Sequence, residues 1–241
     1  MTLRIPGYLQ RRLNKHWRRL MVRPTVGTVD FGDLRTLRPI SSEFGYERGL
    51  PIDRYYIEQF LESCREDVHG RVLEIGDNEY TRKYGGDRVL ASDVLHVSDG
   101  NPKATMVGDI TRGDFIPGNH FDSVIFTQTL QFIYDHRAAL ETLHRILKPG
   151  AVLLATVPGI TKIPQDEWGP LCAWSFTPAS TSRMFSEVFG DGQVKVESRG
   201  NVLAACAFLQ GLASEELSRK ELEEFDPLYP VMISVRAEKV P

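Results

Sequence analysis

Several features are scarce in this 241-residue sequence, and each scarcity excludes a class of protein. Its 3 cysteines, Cys64, Cys172 and Cys206, lie far apart and form no CxxC pair. Such a set predicts neither a disulfide framework nor a zinc site, so we expect no metal centre and a reducing, cytoplasmic location. No apolar run reaches the roughly 18 residues of a membrane span, and the first residues lack the apolar core of a signal peptide.

Positive charge is also limited, with 29 Lys and Arg against 32 Asp and Glu. A surface that follows nucleic-acid phosphates needs a local excess of basic residues, so we expect no nucleic-acid partner. The exception is residues 1–23, which hold 7 basic and no acidic residues, with apolar residues at helical spacing. This segment predicts a basic amphipathic helix that packs on its own domain or a homodimer mate. Alternatively, it attaches to an anionic membrane surface, a protein partner or a phosphate-bearing substrate.

The remaining sequence is typical of one globular domain. Hydrophobic residues make up 41% of the chain and charged residues 25%. We interpret residues 1–50 as the basic helix followed by an irregular arm rich in proline, glycine and threonine, and residues 51–241 as the domain. Pro51 suits the first position of a helix, and the apolar residues after it recur with a helical period.

Short apolar strands, separated by helices, are predicted through the domain. Four of them are predicted at residues 71–75, 88–92, 122–126 and 151–157, and a helix over residues 135–147 precedes the last. Two alternating segments near 193–198 and 231–236 suit an antiparallel edge. The predicted fold class is α/β, a doubly wound, mostly parallel Rossmann-like sheet with an antiparallel C-terminal edge.

Ligands of an open parallel sheet bind beyond the carboxyl ends of its strands. The first predicted strand leads into Glu74 and Gly76, and the glycine permits a tight turn close to a ligand. Asp93 follows the second strand, where a carboxylate accepts hydrogen bonds from a ribose diol. Both a dinucleotide and S-adenosylmethionine (SAM) would fit these residues.

The further pattern resembles the class I SAM-dependent methyltransferases. The resemblance covers residues 70–159 and includes the sequences Val107-Gly-Asp-Ile110, Phe121-Asp122, Thr127 to Asp135 and Leu147-Lys-Pro-Gly150. It implies that Glu74 and Gly76 hold the methionine part of SAM, Asp93 the ribose, and Asp109 with the Ile110 backbone the adenine. Thr127, directly after the predicted strand over residues 122–126, joins this cofactor set. Tyr56 joins it as part of a flap over the cofactor formed by residues 48–56.

The chain departs from that family in its first loop, where Asp77, Asn78 and Glu79 replace the usual glycines. SAM carries no pyrophosphate, so it needs no phosphate cradle. A nicotinamide cofactor does need one, and the departure therefore counts against a dehydrogenase.

Removing a proton from an alcohol acceptor requires a base near the ends of the predicted strands over residues 122–126 and 151–157. The candidates are Asp166, His136 and Asp135, with His120 and His144 less favoured. The loop over residues 158–177, which contains Asp166, also contains two indole rings, those of Trp168 and Trp174.

The arrangement resembles bacterial methyltransferases of polysaccharide and glycoside synthesis, and this implies an O-methyltransferase for a sugar or glycoside. Two alternatives stay open. One is methylation of another small molecule, such as a carboxylate or phenol, and the other is a non-catalytic methyltransferase-like subunit.

Overall fold

The computed structural model describes residues 24–240, and the chain divides after Arg38 into two compact units. In the first, residues 24–38 hold one short 3-10 turn, Gly32–Leu34, whose start is fixed by Asp30, which accepts a hydrogen bond from the Gly32 amide. The basic helix predicted for residues 1–23 lies outside the described residues.

The second unit is built on a seven-stranded sheet with the order β3-β2-β1-β4-β5-β7-β6. Strands β1 to β5 pair in parallel, and β7 pairs antiparallel with both β5 and β6. The fold class predicted from the sequence is thereby confirmed. The strands are β1 Gly70–Ile75, β2 Val89–His96, β3 Met106–Val107, β4 Phe121–Thr127, β5 Leu147–Pro158, β6 Val194–Arg199 and β7 Met232–Glu238.

Hydrophobic side chains project from both faces of this sheet and are buried there. This explains the continuous apolar runs in its central strands. Leu73 and Val124 join a core cluster on one face, whereas their neighbours Val72 and Ile125 join a cluster on the other. Helices cover each cluster. They are α1 Ile52–Ser63, α2 His136–Ile146, α3 Pro178–Phe189, α4 Val202–Leu209 and α5 Arg219–Glu223.

Local chemistry fixes where these helices begin. Asp135 caps α2 by accepting a hydrogen bond from the Ala138 amide at 3.1 Å. Thr177 and Ser180 form a reciprocal capping box at the start of α3. Helix α1 follows Pro51 directly, as the sequence predicts. Helices α2 and α3 pack on the first cluster, and α1 and α4 on the second.

Three local predictions need correction. Strand β2 does not end at residue 92 but continues to His96, because it pairs with β1 up to Ile75 and with β3 beyond. The short strand β3 was not predicted, since its two residues are too few for an alternating pattern. The connection from β1 to β2 is not an α-helix but a π-helical turn, Thr81–Gly85, followed by a 3-10 turn.

The second half of the predicted arm packs with the domain. Ser41 donates its amide hydrogen to the Gln210 carbonyl oxygen, and the Leu50 carbonyl oxygen accepts from the Ser214 amide. The compact unit therefore begins at Pro39 rather than at residue 51. Among the helices of residues 24–240, none has the length and apolar character needed to cross a membrane.

Candidate active site

A cavity of about 930 Å³ opens at the carboxyl ends of the parallel strands. Its volume falls in the range of roughly 300–1,000 Å³ that is usual for cofactor and small-molecule sites. Residues from the ends of β1, β2, β3 and β4 contribute to its wall, among them Ile75, His96, Gly108 and Thr127. The cavity thus lies where the topology of an open α/β sheet places a ligand.

Gly76 forms the part of this wall that follows β1. Its φ is +84°, a conformation that favours glycine, and a Cβ built there meets no atom within 4 Å. Its amide donates to the Leu95 carbonyl oxygen at 3.0 Å, and its own carbonyl accepts from the Asn101 side chain. The backbone is therefore held at an open edge that a ligand can approach closely.

Glu74 lies two residues before Gly76, inside β1, and is only 2% exposed. One carboxylate oxygen accepts hydrogen bonds from both the amide and the hydroxyl of Thr81 at 2.7 Å, and the other accepts from the Tyr80 amide at 3.3 Å. Burial raises the pKa of Glu74 to about 7 against these hydrogen bonds. Glu74 thus caps the turn after β1 and also lines the cavity.

The far side of the cavity is formed by Asp109, Ile110 and Thr127. Asp109 caps the 3-10 segment Ile110–Phe115 by accepting from the Thr111 amide at 2.9 Å. This turn places a carboxylate beside the buried, apolar Ile110. Five of the seven residues expected to bind the cofactor therefore share one cavity, namely Glu74, Gly76, Asp109, Ile110 and Thr127.

Asp93 and Tyr56 are not among the residues that line the cavity. Asp93 lies inside β2, where its carboxylate accepts from the Arg71 guanidinium at 2.7 Å and from the Thr105 hydroxyl at 3.2 Å. Tyr56 is 1% exposed in the core beneath α1, and its hydroxyl donates to the Leu222 carbonyl oxygen at 2.8 Å. Each polar group is already used by the fold, so the structure does not bring Asp93 and Tyr56 together with the other five residues.

A second cavity of about 580 Å³ adjoins the first. The two share five wall residues, Tyr46, Arg54, Gln128, Phe132 and Trp168. Trp168 packs against Phe132, with ring centroids 5.9 Å apart. Arg54 donates to the Tyr46 hydroxyl at 2.9 Å. The predicted flap over residues 48–56 thus contributes Arg54, rather than Tyr56, to the boundary between the cavities.

Only one of the three favoured base candidates lines this smaller cavity. Asp166 does so, and one of its carboxylate oxygens accepts from the Trp168 amide at 3.0 Å. Asp135 lines the larger cavity and caps α2. His136 lines neither of these two cavities and packs edge-on against Trp174.

The less favoured histidines and the second tryptophan have structural surroundings. His120 and His144 pack edge-on against Phe121 and Phe189 and are absent from both cavity walls. Trp174 stacks on Tyr134 and donates its indole hydrogen to backbone carbonyl oxygens. Of the two tryptophans in the loop after β5, only Trp168 lines the cavities.

The sequence interpretation missed Asp53, which lines the smaller cavity. Burial raises the pKa of its carboxyl group, opposed by the neighbouring Arg54. Asp53 shares α1 with other acidic residues, and the helical period of the sequence does not distinguish it from them.

Two glutamines after β4 were also missed as individual candidates. Gln128 has a φ of +46°, which is uncommon for a residue with a side chain, and it lines both cavities. The buried Gln131 donates from Nε2 to the Gln128 carbonyl oxygen at 2.9 Å. Gln128 Nε2 and Gln131 Oε1 have no hydrogen-bond partner within the described part of the chain. Position directly after a strand is the signal that could have identified Gln128.

Comparison with known proteins adds a sequence match and a shared fold. Residues 90–155 match the family described as "Methyltransferase domain". No curated protein sequence matches this chain. The matched segment begins in β2 and ends in β5, so it contains the strand ends that form much of the larger cavity.

Two solved methyltransferases share the fold. A phosphoethanolamine N-methyltransferase 2 from Haemonchus contortus, in complex with SAM, has a TM-score of 0.53 at 16% identity over 89% of this chain and 61% of that chain. A SAM-dependent methyltransferase from Archaeoglobus fulgidus has a TM-score of 0.50 at 17% identity over 83% of this chain and 95% of that one. At such low identity these likenesses show the fold.

The family match over residues 90–155 supports the predicted enzyme class, a methyltransferase, for which the sequence analysis expects SAM as the cofactor. The cavity residues fit that group. An open glycine backbone, a carboxylate beside a buried isoleucine, and apolar side chains such as Leu95 and Phe126 offer polar contacts and an apolar surface within one cleft.

Proposed function

We propose that this chain transfers the methyl group of SAM to a hydroxyl group of a small molecule, with a sugar or glycoside as the acceptor class. The observation that carries the proposal is the common wall of the two cavities, formed by Tyr46, Arg54, Gln128, Phe132 and Trp168. A cofactor in the larger cavity and an acceptor in the smaller one would meet along this wall. Methyl transfer depends mainly on holding the two reactants in that proximity.

The larger cavity would hold SAM through residues that follow three strands. The Gly76 backbone and Glu74 would contact its methionine part, and Asp109 with the Ile110 backbone its adenine. Thr127 would lie near the transferred group, because it ends β4 beside the shared wall. When bound, SAM supplies a methyl group activated by a sulfonium.

The smaller cavity suits an uncharged, hydroxyl-bearing acceptor. Trp168 and Phe132 offer flat apolar surfaces, while Asp53 and Asp166 offer hydrogen-bond acceptors. Gln128 adds an unpartnered donor atom and Gln131 an unpartnered acceptor atom. A hydroxyl group both donates and accepts a hydrogen bond, so it complements this pair after small side-chain rotations.

Asp166 is our proposed general base. It would take the hydroxyl proton as the acceptor oxygen bonds to the methyl group, and the sulfur would leave with the bonding electron pair. Asp53 is the second candidate, because burial raises the pKa of its carboxyl group and so makes its carboxylate more basic.

The alternative functions would use these cavities differently. Arg54 and Lys162 also line it, and their positive charges would favour a carboxylate acceptor. A non-catalytic subunit would bind SAM in the larger cavity without transferring its methyl group to any acceptor.

A screen for S-adenosylhomocysteine (SAH) release distinguishes these possibilities. The purified chain is incubated with SAM and panels of methyl glycosides, phenols and carboxylates. The control is Gly76→Val, because a side chain at φ +84° is strained and would project toward the open space at the cavity edge. We expect SAH release with a glycoside and none from the control. SAM binding without release from any panel would favour the subunit and contradict the proposal.

A further inference from the structure

His96 is the last residue of β2, and its side chain lines the larger cavity. Asp93, in contrast, lies three positions earlier, where Arg71 and Thr105 occupy its carboxylate. The end of the second strand therefore presents an imidazole to the cavity. The carboxylate expected to bind the ribose, that of Asp93, is instead hydrogen-bonded within the sheet.

Two contacts between Ser98 and Nδ1 of His96 require opposite tautomers, and we assign the ring hydrogen from the shorter one. Nδ1 lies 2.8 Å from the Ser98 carbonyl oxygen, and the Ser98 amide nitrogen lies farther away, at 3.4 Å. Because a carbonyl oxygen only accepts, the shorter contact requires a hydrogen on Nδ1. In the neutral ring, Nε2 then carries the lone pair and acts as a hydrogen-bond acceptor.

The ring is also held in place by its surroundings. The His96 carbonyl oxygen accepts from the Gly108 amide at 2.9 Å, which fixes the backbone beside β3. On the cavity side, the imidazole meets the Trp168 ring edge-on, with centroids 6.1 Å apart and planes at 86°. The Ser98 and Trp168 contacts therefore limit rotation of the imidazole before a ligand binds, and the Gly108 contact holds the backbone that carries it.

We propose that His96, rather than Asp93, accepts a hydrogen bond from a ribose hydroxyl of SAM through Nε2. The inference rests on the proposed function and concerns one contact within it. A carboxylate can accept from both ribose hydroxyls, whereas the single Nε2 lone pair accepts from one. Binding should therefore depend on His96 through one hydroxyl, either the 2′ or the 3′.

Isothermal titration calorimetry with SAH tests this contact without any acceptor. His96→Phe keeps an aromatic ring beside Trp168 but removes both nitrogens, whereas His96→Gln can return an acceptor near the Nε2 position. We expect Kd to rise about three- to tenfold in His96→Phe, the loss of one neutral hydrogen bond, and less in His96→Gln. The matched control is His69→Phe, an exposed histidine just before β1, whose Kd should stay within roughly twofold.

The 2′-deoxy and 3′-deoxy analogues of SAH separate a ribose contact from general disturbance. In the wild type, one analogue should bind more weakly than SAH, and in His96→Phe that particular difference should disappear. Equal Kd values for wild type, His96→Phe and His96→Gln, or an undiminished deoxy effect in His96→Phe, would overturn the inference while leaving the proposed function intact. Failure of the wild type to bind SAH would overturn both.

Discussion

The Asp93 carboxylate accepts a hydrogen bond from the Arg71 guanidinium, with 2.7 Å between Oδ2 and Nε. Its other oxygen accepts from the Thr105 hydroxyl at 3.2 Å. These contacts join β1, β2 and the segment before β3 at a point where the carboxylate side chain is 12% exposed. A charge this far from water needs such partners. These contacts give Asp93 a stabilising role in the sheet beneath the cavity.

Asp93→Asn should lower the free energy of unfolding by about 1–2 kcal/mol, because an amide keeps the shape but loses the charge-assisted bond to Arg71. Urea unfolding measures this change, and calorimetry should give the wild-type Kd for SAH. Asp99→Asn, at an exposed residue beyond β2, is the control. A large loss of SAH affinity with wild-type stability would show that Asp93 binds the ribose.

Glu74 should make the protein less stable as pH rises. Burial raises its pKa from the ordinary 4.5 to about 7 in the folded state, so the folded protein binds this proton more tightly than the unfolded chain. The unfolding free energy should therefore fall between about pH 4.5 and 7, by up to about 3 kcal/mol from this group.

The Glu74→Gln variant removes the titrating proton while keeping an acceptor for Thr81. Its unfolding free energy, from urea titrations across that pH range, should fall less steeply than that of the wild type. Glu141→Gln, on the exposed side of α2, should retain the wild-type slope. A Glu74→Gln slope equal to that of the wild type would show that Glu74 keeps an ordinary pKa.

Asp166→Asn should reduce turnover about a hundred- to ten-thousand-fold while leaving the Kd for SAH unchanged, because a base acts on the acceptor proton and not on the cofactor. Turnover is followed with whichever glycoside releases SAH in the screen. Glu167→Gln changes the exposed neighbouring acid and should remain active. If Asp53→Asn shows the larger loss, the base is Asp53. Wild-type turnover in both variants would exclude Asp166 and Asp53 as the base.

Gln128→Met should leave the unligated protein as stable as the wild type, or more stable by about 0.5–1 kcal/mol, since it removes a buried amide nitrogen without a partner. Acceptor KM should rise about tenfold with the loss of one hydrogen bond. Thermal unfolding and steady-state kinetics measure the two effects. Gln165→Met, at an exposed glutamine of the same cavity, is the control. A marked destabilisation by Gln128→Met would show that the amide serves the fold.

Much of this fold could be predicted because its central strands are buried on both faces. Continuous apolar runs such as those in β4 and β5 have no other stable place in an α/β domain. The antiparallel edge was predicted for a related reason, since β6 alternates polar and apolar residues. Strand ends were harder to locate. The apolar run of β2 continues past Asp93, and only its pairing with β1 and β3 determines where it stops.

The cofactor cavity was predicted better than the acceptor cavity for a physical reason. Glu74, Gly76, Asp109 and Ile110 follow their strands closely, so topology alone brings them to one edge of the sheet. The acceptor cavity gathers Asp53 from α1, Gln131 from the segment after β4 and Asp166 from the loop after β5. Their proximity depends on loop conformation and tertiary packing, which leave no periodic pattern in the sequence.

A crystal structure with SAH, supported by calorimetry, tests the central claim most directly. The account predicts one SAH per chain in the larger cavity, in contact with the Gly76 backbone and Asp109, with its sulfur facing the wall formed by Gln128, Phe132 and Trp168. The absence of calorimetric binding, or SAH bound away from the carboxyl ends of β1, β2 and β4, would contradict it.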